Sequence, residues 1–583
     1  MRDIADAGGA PVRGDLMDNL EVPLAEAEID GVEAVEPSAF GVAPGGVSVL
    51  ALALAACDSG GGGGGGGGVV TTPPTGTPSP TPAPPPTAVQ ASRFLAQATM
   101  GATGADIADV QARGYAGWIT AEFAKPRGTT HWDWLVSKGY NDVANINGEA
   151  GFDNVMWSQL IGAGDQLRQR VGMALLEVLV VGISGVNLSW RQFAMAAYVD
   201  VLLDNAFGNF RTILEKITTN AAMASFLTFL GNRKANATTG SVPDENYARE
   251  LMQLFTIGLH RLNMDGTVVT SGGAPVETYT PADVSGLARV FTGLTLDSTD
   301  NTTPDRYRRP LIVNANTHET GASTFLGTTV AAGTAGMDAV KQALDTIFAH
   351  PNVAPFVSKQ LIQRLVTSNP TPAYVGRVAA KFADNGSGVR GDMQAVIRAI
   401  LLDDEARADP SGTSAGKLRE PVMRFTGWAR GFGAASVSGN WTIGDTSSSI
   451  NRLAQSMGRS PSVFNFFRPG YTPPNSGFAS GGLVAPEFQI TNEISVVGYV
   501  NYMQSVVNNG LGDLKSSYAE LTAIAADSQA LIDRINLVLA AGQLSTATVA
   551  QIKTAVDSST NSNNRIAMAL LLTMAAPEYL AQK

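Results

Sequence analysis

Two glutamates in apolar helical segments are the residues of this chain that could carry chemistry. Glu177 lies inside the apolar run 171–181, and Glu250 lies on the polar stripe of another predicted helix. A carboxylate in apolar surroundings is costly unless a cation or several donors meet it, and its pKa then shifts. Two such groups facing each other could serve as the general acid and base of a hydrolase. They could equally be two ends of a structural ion-pair network.

The predicted helix that contains Glu250 also holds the densest group of polar side chains. Glu245 and Arg249 are one helical turn apart, which predicts an ion pair. Asp244 and Asn246 extend the same polar group, so these four residues are candidates for binding. Because apolar side chains flank this stripe, we expect it to be partly buried, and a hydrogen-bonded packing network is the alternative to a functional role.

Arg170 and His318 are the other candidates. Arg170 lies two turns before Glu177 on the same predicted face, where it could compensate the carboxylate or bind a ligand. His318 lies in a polar loop and is the histidine best placed for catalysis. No two of the four histidines have the i, i+4 spacing of a metal pair, and no nucleotide-binding or nucleophile-elbow motif stands out. We therefore expect no metal and no cofactor.

These side chains must be positioned by helices, because the apolar period after residue 91 is helical almost throughout. The predicted helices include single long ones over 244–259, 486–503 and 518–539. Thr280-Pro281-Ala282-Asp283 has the residues of a capped helix start, and Thr371-Pro372 predicts a second one. Strand signals are few, and only the segment 262–279 predicts a small hairpin. The expected fold is mainly α, a large multi-helix domain with long loops and at most one small β-hairpin.

A lone cysteine predicts where the protein resides. Cys57 is the only cysteine, and it follows an apolar stretch, 47–56, that is too short to span a bilayer. Leu54-Ala55-Ala56-Cys57 resembles the lipobox of bacterial lipoproteins, in which the cysteine is lipidated. The alternative is a small apolar segment that only looks like a lipobox. Positive charge normally precedes such a stretch, and here the flank is acidic.

A low-complexity segment follows the cysteine and divides the chain. Glycine, proline, threonine and serine dominate it, and such a composition cannot bury enough apolar surface to fold. We expect a leader with its signal segment over 1–56, a tether over 57–88 and one helical domain over 89–583. This organisation predicts an exported protein in the cell envelope, held by a lipid anchor at the periplasmic or cell surface.

The charge distribution argues against nucleic acid as a partner. The net charge is −11, but residues 1–36 hold ten acidic side chains against two arginines. The rest of the chain is therefore close to neutral and has no basic cluster. Nucleic-acid binding needs a positive surface, so we expect none.

Nine motifs, taken together and in order over residues 91–490, resemble the bacterial family called domain of unknown function 1800. They are RFLAQAT (93–99), LRQRV (167–171), AFGNF (206–210), PDENYARELMQLFTIG (243–258), ARVFTG (288–293), HPNVAPF (350–356), QRLVTSNP (363–370), REP (419–421) and SVFN (462–465). The resemblance implies an exported, largely helical bacterial protein of no established reaction. It also implies a partner, because members are often encoded beside an exported protein with a sulfatase-like or phosphatase-like fold.

Two functions remain open from the sequence. The first is a lipoprotein that binds or helps assemble an extracytoplasmic partner or polymer, which the tether and the lack of a catalytic motif favour. The second is a hydrolase of extracellular polymer that uses Glu250, Glu177 and His318. Buried ion pairs are usually structural, which favours the first function.

Overall fold

The computed structural model describes residues 84–409, 412 and 414–583, and within them the chain is mainly helical, as predicted. Cys57, the leader and nearly all of the predicted tether lie outside the described residues. The first half holds α1 (Ala88–Ala98), α2 (Gly104–Ala124), α3 (His131–Ser137), α4 (Phe152–Gly162), α5 (Gln166–Val178), α6 (Arg191–Asp204), α7 (Phe210–Thr218), α8 (Ala221–Phe226), α9 (Asn246–Glu250), α10 (Pro281–Val290) and α11 (Gly336–Ala349).

The second half of the chain holds twelve further helices within the described residues. They are α12 (Val353–Leu365), α13 (Pro372–Ala383), α14 (Met393–Leu402), α15 (Asp404–Arg407), α16 (Pro421–Gly431), α17 (Gly477–Ser480), α18 (Glu493–Asn509), α19 (Ala519–Ile524), α20 (Ser528–Ala540), α21 (Thr546–Asp557), α22 (Ser562–Ala575) and α23 (Pro577–Leu580). None of the helices in the described part of the chain is both long and apolar enough to cross a bilayer.

The strands are short and form antiparallel pairs. They are β1 (Thr270–Ser271) with β2 (Ala274–Pro275), β3 (Leu294–Thr295) with β4 (Ile312–Val313), β5 (Ser323–Phe325) with β6 (Thr328–Val330), β7 (Lys417–Leu418) with β10 (Ala581–Gln582), and β8 (Ala435–Ser436) with β9 (Leu514–Lys515). The hairpin predicted over 262–279 is confirmed as β1 and β2, with a bridge between Leu262 and Val268 around the turn at Asp265.

Local capping signals placed several helices correctly. The Thr280 side chain accepts a hydrogen bond from the Asp283 amide, and the Asp283 side chain accepts one from the Thr280 amide. Thr371 caps α13 in the same way, with the Tyr374 amide as donor. These contacts need only residues three positions apart, so the sequence alone predicts them.

Long single helices were the wrong prediction in three places. The helix predicted over 244–259 begins at Asn246 and changes after Glu250 into a π-helical turn, Leu251–Thr256. The helix predicted over 486–503 is a 3₁₀ turn, Pro486–Ile490, followed by α18. The one predicted over 518–539 breaks between α19 and α20, because the Asp527 side chain caps a new helix there.

The core is organised around α5. Twelve of its residues are buried, and it packs against α1, α2, α4, α6 and α12. A helix covered on nearly every side has no solvent face for its polar side chains. Arg170 and Glu177 therefore lie inside the protein and must find partners on other segments.

Candidate functional site

A cluster of eight ionisable side chains lies buried beside α5, and we call it the charge cluster. It draws on α5, α12, the β7–α16 segment and the 3₁₀ turn before α18. Its members are Arg170, Glu177, Arg364, Lys417, Arg419, Glu420, Arg424 and Glu487, each less than a tenth exposed. The cluster thus contains five cations and three carboxylates.

Lys417 is the most fully bonded member of the charge cluster. Its ammonium lies 3.1 Å from Glu420 Oε1 and 3.0 Å from Glu487 Oε1, and it donates to the Arg364 carbonyl oxygen at 2.9 Å. An ammonium has three donors, so all three are used. Lys417 cannot act as a general base while these contacts hold.

Glu177 and Glu420 form a pair whose two pKa values move apart. Burial and the adjacent Glu420 raise the pKa of Glu177 well above its usual value. Burial would raise the pKa of Glu420, but the charges of Lys417, Arg170 and Arg364 lower it. Two adjacent buried carboxylates repel each other when both are ionised. The opposite pKa shifts therefore favour the proton on Glu177 and the negative charge on Glu420.

Further contacts fix Glu420 as the ionised partner. Gln455 Nε2 donates to Glu420 Oε2 at 2.8 Å. Glu420 is also the residue that precedes Pro421 at the start of α16, where the positive end of the helix dipole favours a carboxylate. No described residue donates a hydrogen bond to either oxygen of Glu177. The surroundings thus stabilise a negative charge on Glu420 and do not stabilise one on Glu177.

The arginine that meets Glu177 comes from a distant segment. Arg364 Nε lies 3.8 Å from Glu177 Oε2, and the Arg364 guanidinium packs over the Phe467 ring at 4.7 Å. Arg170 instead donates from Nη2 to the Arg364 carbonyl oxygen at 2.6 Å. The expected compensation by an arginine is present, but through Arg364 on α12 rather than by a direct ion pair within α5.

The charge balance of the cluster is positive. Five cations face three carboxylates, so the cluster is cation-rich even with every carboxylate ionised. Burial lowers the pKa of Arg170, Arg419 and Arg424, but arginine stays charged in proteins. An unbalanced positive interior is unfavourable unless an anion approaches it.

An apolar cleft of about 410 Å³ borders the charge cluster. Its charged lining consists of Lys417 and Arg424 from the cluster and of Lys583, and its apolar lining comes from four segments between 415 and 581. The lining residues include Lys417, Arg424, Phe478, Phe488, Val496, Tyr499, Val500 and Leu580. A concave apolar site with a few convergent polar groups is the usual form of a ligand-binding site.

The rim of this cleft is exposed and apolar. Val496 and Val500 line the cleft from one face of α18, and they are 44% and 40% exposed. Ile494 and Val497 on the same helix are also exposed. Contiguous exposed apolar side chains mark interaction sites on soluble proteins.

The end of the chain forms another wall of the cleft. Strand β10 pairs with β7, with Ala581 opposite Leu418 and Gln582 opposite Lys417. Gly416, just before β7, has a positive φ, and a Cβ there would lie 2.2 Å from the Gln582 carbonyl oxygen. Only glycine permits this approach, so the backbone at 416 brings the last residues against the cluster.

The structure does not bring Glu250 into the charge cluster. Glu250 lies at the end of α9, and burial raises its pKa, opposed by the charge of Arg249. Its Oε2 accepts no hydrogen bond from a described residue. No described hydrogen bond or ion pair joins Glu250 to Glu177, whose nearest ionic partners are Arg364 and Glu420.

The four candidate binding residues around α9 form a polar network with their neighbours. Arg249 Nη2 lies 3.0 Å from Glu245 Oε2, so the predicted ion pair is confirmed. Asp244 accepts hydrogen bonds from the Thr228 hydroxyl and from the Asn246 amide. These are local contacts that hold the start of α9, and none of these residues lines the cleft.

His318 is buried and held by the backbone. Its Nδ1 donates to the Thr292 carbonyl oxygen at 2.8 Å, and its Cβ lies against Gly293. Its neighbour Glu319 accepts from the Gly321 amide, which helps to lower the pKa of Glu319. Thus the three candidate catalytic residues, Glu177, Glu250 and His318, show no mutual contact in the described residues.

The described residues hold no group of three or more His, Cys, Asp or Glu side chains arranged for a metal ion. Six members of the charge cluster were not singled out for chemistry in the sequence: Arg364, Lys417, Arg419, Glu420, Arg424 and Glu487. One signal could have found part of the set: Arg419-Glu420-Pro421 puts a charged pair directly before a helix-starting proline. Lys417 precedes it by two residues.

A comparison with protein families assigns the chain to a family of unknown function. It belongs to the family described as "Protein of unknown function (DUF1800)", whose model matches residues 93–581. The matched region extends past the motifs that end near residue 490 and includes α18, α22 and β10, which line the cleft. No curated protein and no solved structure matches the chain.

Proposed function

We propose that this protein is an envelope-anchored lipoprotein whose cleft binds an extracytoplasmic ligand or partner without hydrolysing it. The observation that carries the proposal is the apolar cleft with its exposed rim on α18. Two buried carboxylates, Glu420 and Glu487, are already bound to Lys417, which lines the cleft. Lys417 in turn has no free donor. The lining thus offers apolar contact area and positive charge, which suit binding.

A charge placed on the rim should weaken binding. We expect Val500→Asp to reduce capture of the envelope partner or polymer at least tenfold, because anchor residues at interfaces are worth about 2 kcal/mol or more. Capture is measured by cross-linking in intact cells and quantitative recovery of the tagged full chain. Val242→Asp is the matched control, since Val242 is 78% exposed and lies outside the cleft. Equal capture by both variants would contradict the proposal.

The lipid anchor is proposed at Cys57. We expect Cys57→Ser to move the protein from the membrane fraction to the soluble fraction, because each buried acyl CH₂ contributes about 0.8 kcal/mol to membrane binding. Mass spectrometry of the mature wild-type protein should find an acylated Cys57 at its N-terminus. Ser59→Ala is the control and should leave the distribution unchanged. An intact leader with a free thiol in the cytosol would refute the anchor.

Hydrolysis is the second candidate, and one observation favours it. Glu177 and Glu420 have pKa values driven apart, which is the pattern of an acid and a base. Against it, both side chains are about 1–2% exposed and neither lines the cleft. A hydrolase would lose turnover in Glu177→Gln and in Glu250→Gln while the fold survived.

A further inference from the structure

Arg424 is the cluster cation that both lines the cleft and keeps a buried donor without a described partner; Arg170 and Arg364 each have an Nε without a hydrogen-bond partner, but neither lines the cleft. Arg424 lies on the first turns of α16 and is 4% exposed. The hydrogen bond of its side chain to a described residue runs from Nε to the Arg419 carbonyl oxygen at 2.7 Å. Its Nη2 is buried without any described acceptor. Leaving a buried charged donor unpaired costs free energy that a bound anion would recover.

The position of the Arg424 guanidinium is fixed by packing. It stacks over the Tyr499 ring at 4.9 Å, and Tyr499 itself lines the cleft. Glu487 and Glu420 influence its pKa through space, but neither forms an ion pair with it within the described residues. A rigid guanidinium that presents a fork of donors matches the two oxygens of a carboxylate.

The number of cations with a free donor restricts the charge of the ligand. Lys417 is the other cluster cation in the lining, and its three donors already bind Glu420, Glu487 and a carbonyl oxygen. Lys583 also lines the cleft, but its side chain is exposed to solvent, so Arg424 is the buried cation of the described lining that keeps a free donor. A single buried cation with a free donor matches a singly charged anion better than a doubly charged phosphate.

The apolar part of the lining restricts the size and polarity of the rest of the ligand. Phe478, Phe488, Val496, Val500 and Leu580 present apolar side chains along the cleft. Its volume of about 410 Å³ is near the lower end of ligand pockets, which suits one alkyl chain rather than two. The exposed valines of α18 continue the apolar path to the surface, where a chain could enter.

We propose that the cleft binds a single-chain amphiphile with one carboxylate, such as a long-chain fatty acid, with its headgroup on the guanidinium of Arg424. This proposal rests on the binding function proposed above and names its ligand class. Charge complementarity with the cation-rich cluster selects the headgroup. The apolar lining selects the chain.

The test compares three ligands of equal chain length below their micellar concentrations. Dodecanoate, dodecanol and dodecyltrimethylammonium are titrated by calorimetry against the full chain carrying Cys57→Ser, so that no acyl group of its own competes. Dodecanoate should bind more than tenfold tighter than dodecanol, and the cation should bind weakest. Arg424→Leu should lose about 10- to 100-fold in dodecanoate affinity, the value of one charged hydrogen-bonded contact, and leave dodecanol unchanged. Equal affinities for dodecanoate and dodecanol, or no effect of Arg424→Leu, would overturn the proposal.

A second variant keeps the test valid if Arg424→Leu does not fold. Val500→Trp fills the cleft from its exposed rim without touching the cluster, and it should abolish binding of both dodecanoate and dodecanol. Binding that survives Val500→Trp would place the amphiphile elsewhere and overturn the proposal. If dodecanoate does not bind while Val500→Asp still abolishes partner capture, the ligand class is wrong and the binding function stands. If neither effect is seen, both are wrong.

Discussion

Glu420→Gln should lower the free energy of unfolding by about 3–5 kcal/mol, the usual cost of breaking a buried ion pair, whereas Glu177→Gln should not lower it at neutral pH. Glu420 is the ionised member of the pair and compensates Lys417. Its removal leaves the cation-rich cluster with less negative charge. Burial and the adjacent Glu420 raise the pKa of Glu177, so glutamine at 177 imitates the favoured neutral form and avoids the cost of holding a proton that the unfolded chain releases. Denaturant unfolding at neutral pH measures both differences.

The pH dependence of the two variants should have opposite signs. The folded pKa of Glu177 is raised, so folded protein keeps a proton that unfolded chain loses above about pH 4.3. This difference in proton binding lowers the stability of the wild-type protein as pH rises, and Glu177→Gln removes the difference. The folded pKa of Glu420 is lowered, so its stabilisation is present above about pH 4.3 and is lost as pH falls. The cost of Glu420→Gln should therefore shrink in acid.

These outcomes distinguish the two carboxylates cleanly. If Glu177→Gln costs as much as Glu420→Gln at neutral pH, then Glu177 is ionised in the folded protein. The assignment of the proton to Glu177 would then be wrong. Gln455→Leu serves as a further control, because it removes the hydrogen bond to Glu420 and the one accepted from the Val422 amide while preserving the ion pair, and it should cost about 1.5–3 kcal/mol.

Lys417→Met should also destabilise the protein by about 3–5 kcal/mol, because it strands two buried carboxylates. Methionine keeps the length of the side chain and leaves the β7–β10 backbone pairing intact. Glu420 and Glu487 would lose their shared ammonium and take up protons instead. The loss should therefore be largest at neutral pH and smaller in acid, measured by denaturant unfolding across that range.

A double-mutant cycle separates this charge effect from simple packing. Lys417→Met combined with Glu420→Gln should cost clearly less than the sum of the two single changes, since the second change removes the group that the first one strands. Lys553→Met is the matched control, because its partner Asp557 is solvent-exposed and the midpoint should not move. Additive costs in the cycle would mean that Lys417 and Glu420 are not coupled.

The sequence predicts most of the helical fold because helix starts are local. Thr280 with Asp283, and Thr371 before Pro372, specify their caps within three residues. The same locality explains the errors. The π-helical turn after Glu250 depends on how that segment packs in the core, so hydrophobic periodicity extends the helix too far. Helix α21 was missed because only Ile552 and Val556 on it are buried.

The candidate site was only partly predictable. That Glu177 needs an arginine follows from its apolar neighbours, but its partners Arg364 and Glu420 are far away in sequence. Their approach depends on how α12 and α16 pack against α5, which no local pattern encodes. The cleft is harder still, because its walls come from segments between Ser368 and Lys583. Glu250 and Glu177 looked alike in the sequence, yet tertiary packing separates their environments.

The central claim is that the cleft binds its ligand without changing it chemically. The most direct test places a photo-cross-linking residue at Val497, on the exposed rim of α18. Material captured in living cells is compared by mass spectrometry between the wild-type protein and Glu177→Gln. If the cleft only binds, the two proteins should give the same adduct in the same yield. A shortened product on the wild type, with intact polymer on Glu177→Gln, would show turnover by the buried carboxylates and contradict the binding function.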